Sequence, residues 1–122
     1  MTRPATIYVV DDDVAVRRSI ERLLHSEGFR VVTCNSAAEY LALDPERPCC
    51  AIVDLQMPGM TGYDLTRALK AARRNDPLIL VSGYFDAAPV DGSAPASPIA
   101  VLMKPIEDQV LLAAIADALA RQ

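Results

Sequence analysis

The chain predicts a doubly wound α/β fold, one parallel sheet with helices on both of its faces. Three observations carry this. Short apolar runs alternate with amphipathic stretches in the order β-α-β-α-β-α-β, followed by a proline- and glycine-rich segment and a final β-α. The runs IYVV, CCAIVDL and PLILVSG are continuously apolar, as strands buried on both sides require, rather than alternating. A length of 122 residues, 52% of them hydrophobic, suffices for one domain with its own core, so residues 1–122 read as a single domain.

Each element has a local reason. IYVV (7–10) is a buried strand that runs into Asp11, Asp12 and Asp13, and Asp13 reads as the cap of the helix that follows. In that helix Val16, Ile20, Leu23 and Leu24 share a face. Gly28 stands where a helix-ending glycine belongs. RVVTC is the second strand, and Ser36 with Glu39 forms a capping box before YLAL. Asp44, Pro45 and Pro48 end this second helix. The third strand closes on Asp54, and QMPGMTG is a turn. The next helix aligns Leu65, Ala68, Leu69 and Ala72. PLILVSG and IAVLMK are the fourth and fifth strands, and the last helix carries Leu111, Ile115 and Leu119 on one side.

Charge and composition exclude several functions. A net charge of -4 and a pI near 4.8 argue against non-specific nucleic-acid binding by this chain. Mean hydropathy is +0.19, yet no apolar run approaches the roughly 18 residues that cross a bilayer. The opening MTRPATIYVVDDD does not read as a signal peptide, which makes the cytoplasm the expected compartment. Cys34, Cys49 and Cys50 lack metal-ligand spacing and read as reduced, buried thiols.

Ligand sites in open parallel sheets lie beyond the C-terminal ends of the strands. Reading those positions gives Asp11 and Asp12 after strand one, Asp54 at strand three, Ser82 at strand four and Lys104 at strand five. Three crowded carboxylates repel and call for a hard cation, for which Mg²⁺ with its oxygen ligands is suited. A phosphoryl group bound there would meet that charge, the Lys104 ammonium and the Ser82 hydroxyl, and such positioning is most of what phosphoryl transfer needs. Asp54, alone on the central strand, is then the nucleophile. Taken singly, Ser82 before Gly83 also reads as a turn residue and Lys104 before Pro105 as a solvated strand end. The five together, in order, are far more specific.

With VVDDD, VDLQMPGMTG, LILVSG and MKP in this order, the whole chain resembles the receiver domain of bacterial two-component response regulators, in a form similar to regulators of the nitrogen-fixation type. The resemblance implies a flavodoxin-like (βα)5 three-layer sandwich with strand order 2-1-3-4-5. It implies Asp54 as phosphoacceptor, Lys104 as the lysine that pairs with the phosphoryl group, and Ser82 as the switch hydroxyl. Asp12 is implied as a direct Mg²⁺ ligand, Asp11 as a ligand through water, and the Gln56 backbone carbonyl as the third protein ligand. A cis Lys104–Pro105 peptide is implied as well. The partners implied are a histidine kinase or phosphotransfer protein as donor, an output domain or partner protein as receiver of the switch, and a homodimer on phosphorylation. His25 is not the donor histidine; it reads as a favourable dipole contact at a helix C-terminus.

Two departures stand out. The family's aromatic residue three before the lysine is Val101 here, with Tyr84 nearby in sequence. Pro89, Gly92, Pro95 and Pro98 interrupt the family's fourth helix, which is expected to be shortened or replaced by a loop. Two alternatives remain at this stage. One is a pseudo-receiver that only binds partners. The other is a phosphatase of the haloacid dehalogenase type, using Asp11, Asp13, Ser82 and Lys104 with Glu107 or Asp108.

Overall fold

In the computed structural model of the chain, residues 4–83 and 100–121 are described. The element order is β1 (Thr6–Val10), α1 (Val14–Ser26), β2 (Arg30–Cys34), α2 (Ala37–Leu41), β3 (Cys49–Asp54), α3 (Gly62–Ala71), β4 (Leu78–Ser82), β5 (Ala100–Met103) and α4 (Asp108–Ala120). The strands form one sheet ordered β2-β1-β3-β4-β5, the order implied by the resemblance. Every neighbouring pair is parallel. The expected shortened fourth helix or loop falls in the segment 84–99 and, with Tyr84, lies outside the described residues.

β1, β3 and β4 are buried along their whole length, and the reason is that successive side chains go to opposite layers. Tyr8, Val10, Ala51, Val53, Leu78 and Leu80 pack with residues of α2 and α3. Ile7, Val9, Cys50, Ile52, Ile79 and Val81 pack with α1 and α4. With both faces covered, polar residues stand only at the strand ends, Thr6, Asp54 and Ser82, and between those ends the strands read as unbroken apolar runs. The edge strands β2 and β5 are partly exposed. In α4 the buried stripe is Leu111, Ile115 and Ala118, while Leu119 is only half-buried. Leu119 therefore lies at the margin of the stripe that the sequence assigned to it. The three cysteines are buried and outside any disulfide, and burial pushes the Cys34 and Cys50 thiols up to about 11 and about 12.

Helix ends follow the expected chemistry in most places. Asp13 caps α1, its carboxylate accepting from the Ala15 and Val16 amides. Gly28, at φ +87°, closes α1, with its own N–H on the His25 carbonyl and the Phe29 N–H on the Leu24 carbonyl. The Ser36 hydroxyl accepts from the Glu39 amide, which is the serine half of the expected box. A reciprocal box forms at α3 instead, where Thr61 and Asp64 each accept from the other's backbone N–H, at 3.1 and 3.0 Å. The sequence reading passed over it because the third residue is Asp rather than Glu or Gln.

α2 ends at Leu41, two residues before the expected Leu43. The residue four beyond Leu41 is Pro45, which has no N–H to give, so the Leu41 carbonyl lacks a helical donor. The Arg74 guanidinium donates to it instead, at 2.8 Å. Arg74 also holds Asp76 at 2.7 Å, and the buried Tyr40 hydroxyl donates to the same carboxylate oxygen at 2.6 Å. This bonding and burial push the Tyr40 phenol up, with burial the larger cause.

α3 ends without a glycine. Arg73 takes the left-handed conformation, φ 59°, with the Arg73 and Arg74 amides on the Lys70 and Leu69 carbonyls at 3.0 and 2.8 Å. That conformation costs a residue with a Cβ about 1–2 kcal/mol. Arg73→Gly is expected to raise stability by about 0.5–1 kcal/mol, after the added freedom of the unfolded glycine is subtracted. Gly28→Ala, where nothing lies within 4 Å of an added Cβ, isolates the backbone effect and should lose about 1 kcal/mol. Urea midpoints at unchanged m-value measure both; a lower midpoint for Arg73→Gly would contradict this account of the helix end.

Candidate functional site

Four of the five residues singled out at the strand ends are drawn together by the sheet itself. β1 and β3 are adjacent with Val10 opposite Val53, so the next residues, Asp11 and Asp54, emerge side by side. Both are buried, at 2% and 6% relative exposure. Asp12 follows at the exposed rim. Carboxylate oxygens of Asp11, Asp12 and Asp54 lie within 4.8 Å of one another. Ser82, the last residue of β4, is buried, and its carbonyl accepts from the Lys104 amide at 2.8 Å. That bond seats the residue after β5 against the end of β4. The Lys104 side chain turns into the mouth, with Nζ 3.3 Å from Asp54 Oδ2 and 3.8 Å from Asp11 Oδ2. The Lys104–Pro105 peptide is cis.

Each buried carboxylate uses one oxygen on the backbone and turns the other to the lysine. Asp54 Oδ1 accepts from the Gln56 amide at 2.9 Å, and Asp11 Oδ1 accepts from the Asp13 amide at 2.9 Å. Burial pushes the Asp11 carboxyl above its ordinary range. The Asp13 amide opposes that rise, the Asp54 charge adds to it and the Lys104 charge opposes it. Three converging carboxylates are a hard oxygen donor set, and their spacing fits a small divalent cation.

Two supporting residues were missed by the sequence reading. Gly62, the first residue of α3, is buried against the end of β3: a Cβ there would sit 2.9 Å from a Leu55 methyl and 3.2 Å from the Asp54 carbonyl oxygen. Only glycine lets α3 approach this closely, and MTG showed no more than a turn. Arg17, in α1, donates to the Asp11 carbonyl at 2.6 Å. A side-chain to backbone bond between a helix and a strand end leaves no spacing signature.

Asp13 does not join the cluster; its carboxylate is used on the first amides of α1. Glu107 and Asp108 sit exposed at the start of α4. An Asp-x-Asp phosphatase site built on Asp11 and Asp13 is therefore not what the chain assembles. His25 is exposed in the last turn of α1, at the opposite end of that helix from the mouth. Val101 is 48% exposed on β5, opposite Leu80. Beside the acidic rim a cavity of about 570 Å³ runs between α1 and the β5–α4 connection, with a mostly aliphatic lining that includes Val9, Val16, Ile20, Ile52, Val81 and Ile106.

Comparison with known proteins agrees with this geometry. The response regulator receiver domain family matches residues 7–116. Nodulation protein W of Bradyrhizobium diazoefficiens is 33% identical over 118 residues, which are 96% of this chain and 52% of that protein. Transcriptional regulatory protein FixJ of the same organism is 35% identical over 120 residues, 98% of this chain and 58% of that protein. The chain thus spans little more than half the length of these curated relatives. The crystal structure of FixJ-N superposes with a TM-score of 0.85 at 33% identity, covering 99% of this chain and 98% of the other. A parallel sheet that ends in a lysine-bridged acidic cluster is thus matched along nearly its whole length by one family: the chain belongs to the response regulator receiver domains of two-component signalling.

Proposed function

We propose that Asp54 is the phosphoacceptor of this receiver domain, and that residues 1–122 work as one unit around it. The observation that supports this best is the Lys104 ammonium lying between two buried carboxylates, 3.3 Å from Asp54 and 3.8 Å from Asp11. In the reaction, an Asp54 carboxylate oxygen attacks phosphorus and the bond from phosphorus to the donor atom breaks. The products are an aspartyl phosphate and the released donor group. Lys104 pairs with one phosphoryl oxygen and the Ser82 hydroxyl donates to another. Because the chain supplies positioning and charge for this step, it promotes its own phosphorylation and dephosphorylation rather than turning over a separate substrate.

Asp11, Asp12, Asp54 and the Gln56 backbone carbonyl would hold Mg²⁺, with Asp12 direct and Asp11 through water. When bound, the ion supplies the positive charge that three carboxylates and an incoming phosphoryl group need. The donor class is a phosphohistidine on a histidine kinase or phosphotransfer protein in the cytoplasm. The output is a change in binding to an attached domain, a partner protein or a second copy of the chain.

Acetyl phosphate with Mg²⁺ should phosphorylate the wild-type domain, as read by intact-mass spectrometry. Asp54→Asn should take up none. Lys104→Met should be slower by about 10²-fold, the size of losing one preorganised charged donor. Wild-type incorporation in Asp54→Asn would refute the assignment, and a chain that binds partners equally well whether or not it is phosphorylated would be a pseudo-receiver.

The raised Asp11 carboxyl gives a pH signature. In the metal-free protein the folded state holds the Asp11 proton more tightly than the unfolded state does. Its contribution to stability is therefore full below the unfolded-state value and is lost as pH rises through the higher folded value. Mg²⁺ needs the deprotonated form, so its affinity changes the opposite way, weakening as pH falls into that window. Thermal melts with and without Mg²⁺ should show a larger metal-induced gain at pH 7.5 than at pH 5. Equal gains at the two pH values would count against Asp11 as a member of the metal site.

A further inference from the structure

We propose that Arg17 is a positioning residue for the acidic site, acting through the Asp11 backbone carbonyl to set the turn that carries Asp11 and Asp12. This rests on the metal-binding reading of that site. Arg17 lies one turn into α1 and is half-buried; its Nη1 donates to the Asp11 carbonyl oxygen at 2.6 Å. The rest of Asp11 is pinned as well. Its amide donates to the Cys34 carbonyl at 3.1 Å and its Oδ1 accepts from the Asp13 amide at 2.9 Å. The β1–α1 connection therefore has three fixed points. The first is a backbone pair, the second uses the Asp11 carboxylate itself, and the third is a side chain from another element, Arg17. A charged donor on a backbone carbonyl is among the stronger single hydrogen bonds.

The arrangement has a consequence of definite sign. A guanidinium beside the Asp11 carbonyl lowers the negative potential around the acidic site. If Arg17 mattered only through its charge, removing it would make the site more negative and a divalent cation would bind more tightly. If it matters by holding the turn, removing it lets the Asp11 and Asp12 carboxylates drift from the separation that a small cation with strict geometry demands, and the cation binds more weakly. The two effects oppose each other, so the direction of change separates them. A third role, bracing α1 against β1 with no effect on the site, changes neither.

The experiment is calorimetric titration of Mg²⁺ into the unphosphorylated full chain, with urea unfolding of the same samples. The variants are Arg17→Ala and Arg17→Lys, the second keeping both a charge and a donor. We expect Arg17→Ala to weaken Mg²⁺ binding by about tenfold, which corresponds to about 1.4 kcal/mol, and Arg17→Lys to recover most of it. Tighter Mg²⁺ binding by Arg17→Ala would overturn the proposal in favour of a charge effect. An unchanged affinity with a lowered urea midpoint would overturn it in favour of bracing alone. If Arg17→Ala is too unstable to titrate, Arg17→Gln takes its place, removing the charge on a side chain of intermediate length: weaker Mg²⁺ binding supports the positioning role, and tighter or unchanged binding overturns it. Wild-type protein that binds no Mg²⁺ would remove the metal-site reading itself, a result distinct from wild-type binding that Arg17 leaves unchanged.

Discussion

Two carboxylates, Asp11 and Asp54, are buried side by side because β1 and β3 are adjacent and in register. Buried like charges at this range repel strongly. The Lys104 ammonium, 3.3 and 3.8 Å away, is the countercharge that the described residues bring to them. Its place depends on the sheet order. Lys104 follows β5, two strands away from β3, and reaches Asp54 over the end of β4. The bond from its own amide to the Ser82 carbonyl fixes where that reach begins. Strand order, register and the β4–β5 pairing are thus all required for one ion pair at the mouth.

The same logic explains why the packing around the mouth is close. Asp54 is held from below by β3 and from the side by the first turn of α3, which Gly62 allows to lie against the Asp54 carbonyl. The Thr61–Asp64 box then fixes the start of α3 at that distance. Asp11 is held by β2 through Cys34 and by α1 through Arg17. The two buried carboxylates, Asp11 and Asp54, are thus each tied to more than one element, as a preorganised polar site requires.

Much of this was legible in the residues, for a physical reason. Strands buried on both faces are apolar without interruption, so β1, β3 and β4 announce themselves and the residues just past them become the candidates. Asp13 and Gly28 were readable because helix caps are local. The partner of the carbonyl that ends α2 was not, because it is Arg74, which lies 33 residues further along the chain. The end of α3 was not, because Arg73 sits where glycine is the usual signal. Arg17 and Gly62 were missed for a related reason: each acts on a backbone carbonyl of another element, and a carbonyl has no letter in the sequence.

Asp76 shows by contrast what a structural carboxylate looks like in this molecule. It is also nearly buried, with 7% side-chain exposure, but its oxygens are taken by the Tyr40 hydroxyl and by two guanidinium nitrogens of Arg74. That group, at the far end of the sheet, is saturated with partners and locks α2 to the β4 side. Asp54 is equally buried yet has one backbone amide on Oδ1 and a lysine at 3.3 Å on Oδ2. Its second oxygen faces the partly exposed Lys104 ammonium and the rim where Asp12 is exposed. A buried acid that is fully bonded is held inert, because reaction would break every bond it makes. A buried acid with one loosely partnered oxygen, in a mouth open to solvent, keeps a lone pair available for attack. The difference between the two lies in how completely the fold satisfies each carboxylate rather than in the residue type: Asp76 is fully bonded, whereas Asp54, like Asp11, keeps one oxygen turned toward Lys104.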